Sequence, residues 1–68
     1  MKNKEMIYII GDYRIIQGFQ KFLQKHELNY FIIWKPCAVA EFHINVHPAD
    51  RYGIDLGLYE IEYNTIMK

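Results

Sequence analysis

No disulfide can close within this chain of 68 residues, because Cys37 is its only cysteine. A lone thiol fits a reducing compartment better than a secreted one, and Cys37 itself reads as a small apolar filler rather than a nucleophile. Long apolar runs are missing too. The run near the start, Met6–Ile10, is five residues before Gly11 and Asp12, shorter than the roughly 7–15 of a signal-peptide core. No stretch approaches the roughly 20 apolar residues of a membrane helix. The expectation is a soluble cytoplasmic protein with no membrane partner.

Net charge is absent as well, with eight Lys/Arg against eight Asp/Glu. That argues against bulk nucleic-acid binding, whose affinity comes largely from neutralising phosphates. It also leaves little self-repulsion to keep the chain apart from itself or from a partner. The balance is uneven along the chain: residues 1–35 hold six basic and three acidic side chains, residues 36–68 two and five. Glycine occurs at four positions only, none of them arranged as a phosphate-cradling loop, and no hydrolase turn is visible. No nucleophile stands with a base and an orienting third group. The expectation is a protein that is not an enzyme and carries no cofactor.

Aromatic side chains are plentiful: six Tyr, four Phe and one Trp. The length makes one domain, residues 1–68. A chain of this size buries only about 60% of the surface its unfolded form exposes. Ordering it costs on the order of 100 kcal/mol of conformational entropy. Without a disulfide, the remaining supports are an aromatic core, self-association, a partner or a metal.

Hydrophobic patterning gives the layout. MIYII (6–10) reads as a short buried strand ended by Gly11. Asp12 is placed to cap a helix, along which Ile15, Ile16, Phe19, Phe22, Leu23 and His26 form one stripe. NYFIIWK (29–35) is apolar on both parities, as a central strand would be, and Pro36 closes it. From Ala38 to His47 the alternation is clean. Ala38, Ala40, Phe42, Ile44 and Val46 point inward, and Val39, Glu41, His43, Asn45 and His47 point outward. HPADRYG (47–53) is a loop. In residues 52–66 the parity slips near Gly57, which predicts either one bulged strand or two. The expected fold class is α+β in the order β1-α1-β2-β3-β4. One helix packs on one face of a small, mainly antiparallel sheet of three or four strands.

One helix leaves the second sheet face open, and the expectation places Tyr30 and Trp34 there, with Glu41, His43, Asn45, His47, Glu60 and Glu62 around them. Open aromatic faces tend to bind, and Tyr and Trp are favoured interface anchors. The alternative of a solvated strand face is ordinary. The spacing of His43 and His47 suits a metal only on a helix. On a strand they lie roughly 13 Å apart, too far for two nitrogens to share a zinc ion, so no metal site is expected. Arg14, Lys21 and Lys25 on the helix are the candidates for a nucleic-acid-binding face. Glu41 and His43 are the candidates for an acid–base or metal-dependent enzyme subunit.

The favoured expectation is a small stand-alone protein-binding module, an inhibitor, adaptor or regulator of another protein, with a homodimer also in keeping. Phage and mobile elements encode many proteins of this kind, some directed at host enzymes, and that origin belongs to the same expectation. Packing remains the competing role for the aromatics, because large rings supply much of a small core.

Overall fold

The structure is a computed structural model, and it describes residues 3–67. Strand β1 (Lys4–Ile10) leads into helix α1 (Tyr13–Lys25), strand β2 (Asn29–Lys35), strand β3 (Val39–Val46) and helix α2 (Arg51–Ile66). Short 3-10 turns, Pro36–Ala38 and Pro48–Asp50, precede β3 and α2.

Helix α1 forms where the stripe predicts it. The Asp12 carboxylate accepts from the Arg14 backbone N–H at 2.9 Å, filling one of the free donors of the first turn. Ile15, Ile16, Phe19 and Leu23 are buried along one face. The helix ends with Glu27 in the left-handed region at φ 55°. There the Leu28 N–H donates to the Leu23 carbonyl at 3.0 Å and the Glu27 N–H to that of Gln24 at 3.1 Å. These are the paired bonds of a Schellman stop, which usually takes glycine at this position.

The sheet runs β1-β3-β2, with both outer strands antiparallel to β3. β1 and β2 therefore point the same way, as the long helical connection between them permits. The central strand is β3, and β2 is an edge. This corrects the expectation drawn from the two-sided apolar pattern of NYFIIWK. That pattern arises because Tyr30 and Ile32 pack toward the core while Phe31 and Ile33 stay on the bare side. The turn from β2 to β3 places Cys37 and Ala38 consecutively at φ 66° and 59°. Positive φ at successive turn residues suits the twist of an antiparallel hairpin. Ala38 lies in this turn and is exposed, so it does not point inward as the alternation implied.

A second correction concerns the C-terminal segment. Residues 51–66 form a helix and no fourth strand. Ile54 is buried in the core, with Leu58 and Ile61 packed against it, while a second apolar set faces away. Apolar residues on two sides of a helix blur its period, and short windows then mimic the alternation of a strand. The glycines mark close packing between helices. A β-carbon on Gly57 would lie 2.4 Å from the Phe22 ring, and one on Gly18 would lie 2.8 Å from Ile61.

Both helices pack on the same side of the sheet. Ala40, Phe42 and Ile44 of β3 are fully buried beneath them with Phe19 and Leu23, and the Phe19 and Phe42 rings meet edge to face at 5.0 Å. Tyr8 reaches from β1 to α2, where its hydroxyl donates to the Asp55 carboxylate. Burial, then that carboxylate, holds the phenol protonated well above its ordinary range. The shortest dimension of the chain is 16 Å, which leaves room for two layers only. No element among the described residues covers the other face of the sheet.

Candidate functional site

The uncovered face is built by register. Ile7 pairs with His43 and Ile9 with Glu41 on one side of β3; Phe31 pairs with His43 and Ile33 with Glu41 on the other. Side chains directly opposite one another share a sheet face. Four large apolar groups therefore flank a polar centre: Ile7 is 53% exposed, Ile9 68%, Phe31 55% and Ile33 42%. Around half of each lies open to water on a surface with no cover.

The centre is a row of charged groups crossing all three strands. The Lys35 ammonium lies 3.4 Å from Glu41 Oε2. Glu41 Oε1 lies 2.7 Å from His43 Nε2, and His43 Nδ1 lies 3.3 Å from Glu5 Oε1. The side chains of His43 and Glu41 are only 11% and 17% exposed, while Lys35 and Glu5 at the ends are half-exposed. The Phe31 ring stacks on the His43 imidazole at 4.7 Å and 8°. The Glu5 contact has the reach of an ion pair but not the alignment of a hydrogen bond, so Nδ1 is buried without a hydrogen-bond partner.

The electrostatics follow from these distances. The Glu41 hydrogen bond chiefly raises the His43 pKa, partly opposed by desolvation, and Glu5 adds to the rise. The Glu41 carboxyl is held below its ordinary value, first by His43 and then, against its own desolvation, by Lys35. A carboxylate toward each ring nitrogen favours the imidazolium, the form in which both nitrogens donate.

The structure brings Glu41 and His43 together on this face, with Asn45 beside them and exposed. It places the other candidates elsewhere. Tyr30 turns to the helix side, where its hydroxyl accepts from Gln24 Nε2 at 3.1 Å. Trp34 pairs with Ala40 and so has helix-side parity, at 56% exposure. The expected parity of β2 is right, but its two faces are exchanged. His47 lies past the end of β3, and its Nδ1 accepts from the Ala49 N–H at 3.0 Å, capping the 3-10 turn. Glu60 and Glu62 ride on α2, away from the sheet face on which the expected fourth strand would have put them.

On α1, Arg14 is paired with Asp12 at 3.1 Å, and Lys21 and Lys25 stand exposed. Among the described residues no group of three or more His, Cys, Asp and Glu converges on a point that could hold a metal ion. On His43 only Nε2 is hydrogen-bonded, to Glu41, while Nδ1 lies near the separate carboxylate of Glu5.

Sequence reasoning missed Glu5, Ile7, Ile9 and Lys35, because cross-strand neighbours depend on strand order. It also missed a second exposed surface. Tyr52, Leu56, Tyr59, Tyr63 and Ile66 are all exposed on α2, at alternating steps of four and three. That is the spacing of a seam between packed helices, and it was legible once the segment was read as a helix. No helix of the described residues is long and apolar enough to cross a membrane. No protein-family model, curated protein or solved structure matches the chain.

Proposed function

We propose that this protein works by binding another protein chain, as an inhibitor, adaptor or regulator, and that the bare sheet face is an interface. The observation that carries the reading is the set Ile7, Ile9, Phe31 and Ile33, left open around a charge-paired centre. The apolar groups lie in two flanks on either side of the charged row, and large exposed apolar groups set among polar ones are a mark of interaction surfaces. A desolvated centre with aromatic and aliphatic anchors is where binding energy concentrates.

Two observations favour this reading over the alternatives. Arg14 is already neutralised by Asp12, so the helix face offers few free cations to a phosphate backbone. The His43 imidazole lies between two carboxylates that favour its protonated form, which makes it less suited to take up a proton as a general base. The test is a binding measurement against a partner captured with the intact chain, repeated with Ile9→Lys and Phe31→Lys. Both positions are exposed, so circular dichroism should stay unchanged. Each variant is expected to weaken binding roughly tenfold or more. Unchanged affinity and unchanged oligomeric state in both variants would remove the reading.

A further inference from the structure

The geometry points to a second copy of this chain as the occupant of the bare sheet face, joined by a two-fold axis that crosses the charged row between Glu41 and His43. The inference rests on the reading of that face as a protein interface and names what fills it. Its basis is the order of charges. Lys35, Glu41, His43 and Glu5 follow one another at 3.4, 2.7 and 3.3 Å across the three strands. With the imidazole protonated, the signs alternate as plus, minus, plus, minus.

A row of this kind has the opposite sign at every position when it is reversed. A two-fold axis lying in the plane of the face and perpendicular to the row performs that reversal. Lys35 of each copy then lies over Glu5 of the other, and Glu41 over His43. Both ends are satisfied at once, as an interface between identical surfaces requires. The same rotation keeps each flank over its own kind. Ile7 and Ile9 pack on the β1 isoleucines of the second copy, and Phe31 and Ile33 on their β2 counterparts, apolar against apolar. An axis along the row would set like charges together, so the charge order selects one symmetry. The net charge of zero adds no overall repulsion.

The seam on α2 does not offer the same match. Asp55, Glu60 and Glu62 along its flanks are acidic, and the one basic residue beside it, Arg51, is already drawn to Asp55 at 3.9 Å. Antiparallel pairing of α2 with itself would bring Asp55 of one copy toward Glu62 of the other. The sheet face is self-complementary and the α2 seam is not, which leaves the seam for a different chain.

The test is sedimentation velocity with native mass spectrometry on the full chain, on Lys35→Glu, on Glu5→Lys, and on an equimolar mixture with one variant isotopically labelled. The wild type is expected to dimerise. Each variant alone sets like charges at both ends of the row and should dimerise at least tenfold more weakly. In the mixture, a pair with one copy of each variant has opposite charges at both ends, and dimers of one labelled and one unlabelled chain should recover. Such recovery also shows that both variants fold. If either loses its circular dichroism spectrum, Lys35→Gln and Glu5→Gln take its place and should each weaken the dimer. A wild type that stays monomeric, variants that dimerise as the wild type does, or a mixture with no preference for mixed pairs would overturn the inference. If the wild type is monomeric while Ile9→Lys and Phe31→Lys still abolish binding to a captured partner, only the identity of the occupant falls. The function proposed for the face then stands.

Discussion

The His43 imidazole sits between carboxylates from two strands, and that position ties its protonation to folding. Its pKa is raised from the ordinary 6.5, chiefly by the Glu41 hydrogen bond. A raised pKa in the folded state adds stability that is fully present below the unfolded value and is lost as pH rises through the folded one. The Glu41 pKa is lowered from the ordinary 4.5, so its contribution is present above that value and is lost as pH falls through the folded one. Together the pair stabilises most between the two ordinary values. We expect urea midpoints to fall as pH rises above 6.5 and to fall again as pH drops well below 4.5. Glu41→Gln should lower the His43 pKa in an NMR titration and flatten the alkaline side of the profile. A His43 titration unmoved by that substitution would show that the pair does not set its charge. The shared face of Glu41 and His43 was legible from the alternation of EFHINVH. Glu5 and Lys35 were not, because residues that meet across strands are fixed by register, which no local pattern records.

Among the elements, α1 and α2 differ in how openly the chain announces them. Helix α1 has a capping aspartate and one apolar stripe, and its first residue falls where both signals put it. Helix α2 carries two apolar sides and no side-chain cap hydrogen bond at its start, so neither signal stands clear. Its glycines reveal the packing. Gly57 lies against Phe22, with three ring atoms within 3.0 Å of where a β-carbon would sit, whereas nothing lies within 4 Å of that position at Gly53. Replacing an exposed helical glycine with alanine gains up to about 1 kcal/mol, while forcing a methyl into a packed contact costs about 1–3 kcal/mol. Gly53→Ala is therefore expected to raise the denaturation midpoint and Gly57→Ala to lower it. Were the two to shift it equally and in the same direction, the close approach of α2 to α1 would be wrong.

For the molecule as a whole, stability rests on one core beneath two helices, with Phe42 at its centre and fully buried. Phe42→Ala removes a ring that touches Phe19 and should cost about 3–5 kcal/mol. Against a total of about 5–15 kcal/mol for a typical domain, that loss should leave much of the chain unfolded near body temperature, as read by circular dichroism. Full retention of the wild-type midpoint would place the core elsewhere. A two-layer chain with one bare sheet face also gives a physical reason for an interface, since cover there would bury apolar surface that folding alone leaves wet.

The sequence by itself determined what local chemistry can determine. It set the capped helix α1, the strand character of β1, β2 and β3, the inward set Ala40, Phe42, Ile44 and Val46, and the outward Glu41 and His43. It also set the α+β class, whereas the open sheet face depends on α2 packing on the same side as α1, which the sequence did not show. Only the tertiary structure decided that β3 lies in the middle, that Phe31 and Ile33 rather than Tyr30 and Trp34 occupy the bare side, and that the last segment is a helix. The reason is the reach of the forces involved. Capping and alternation act over a few neighbouring residues, whereas strand order and the choice of buried face are settled by contacts between segments far apart in the chain.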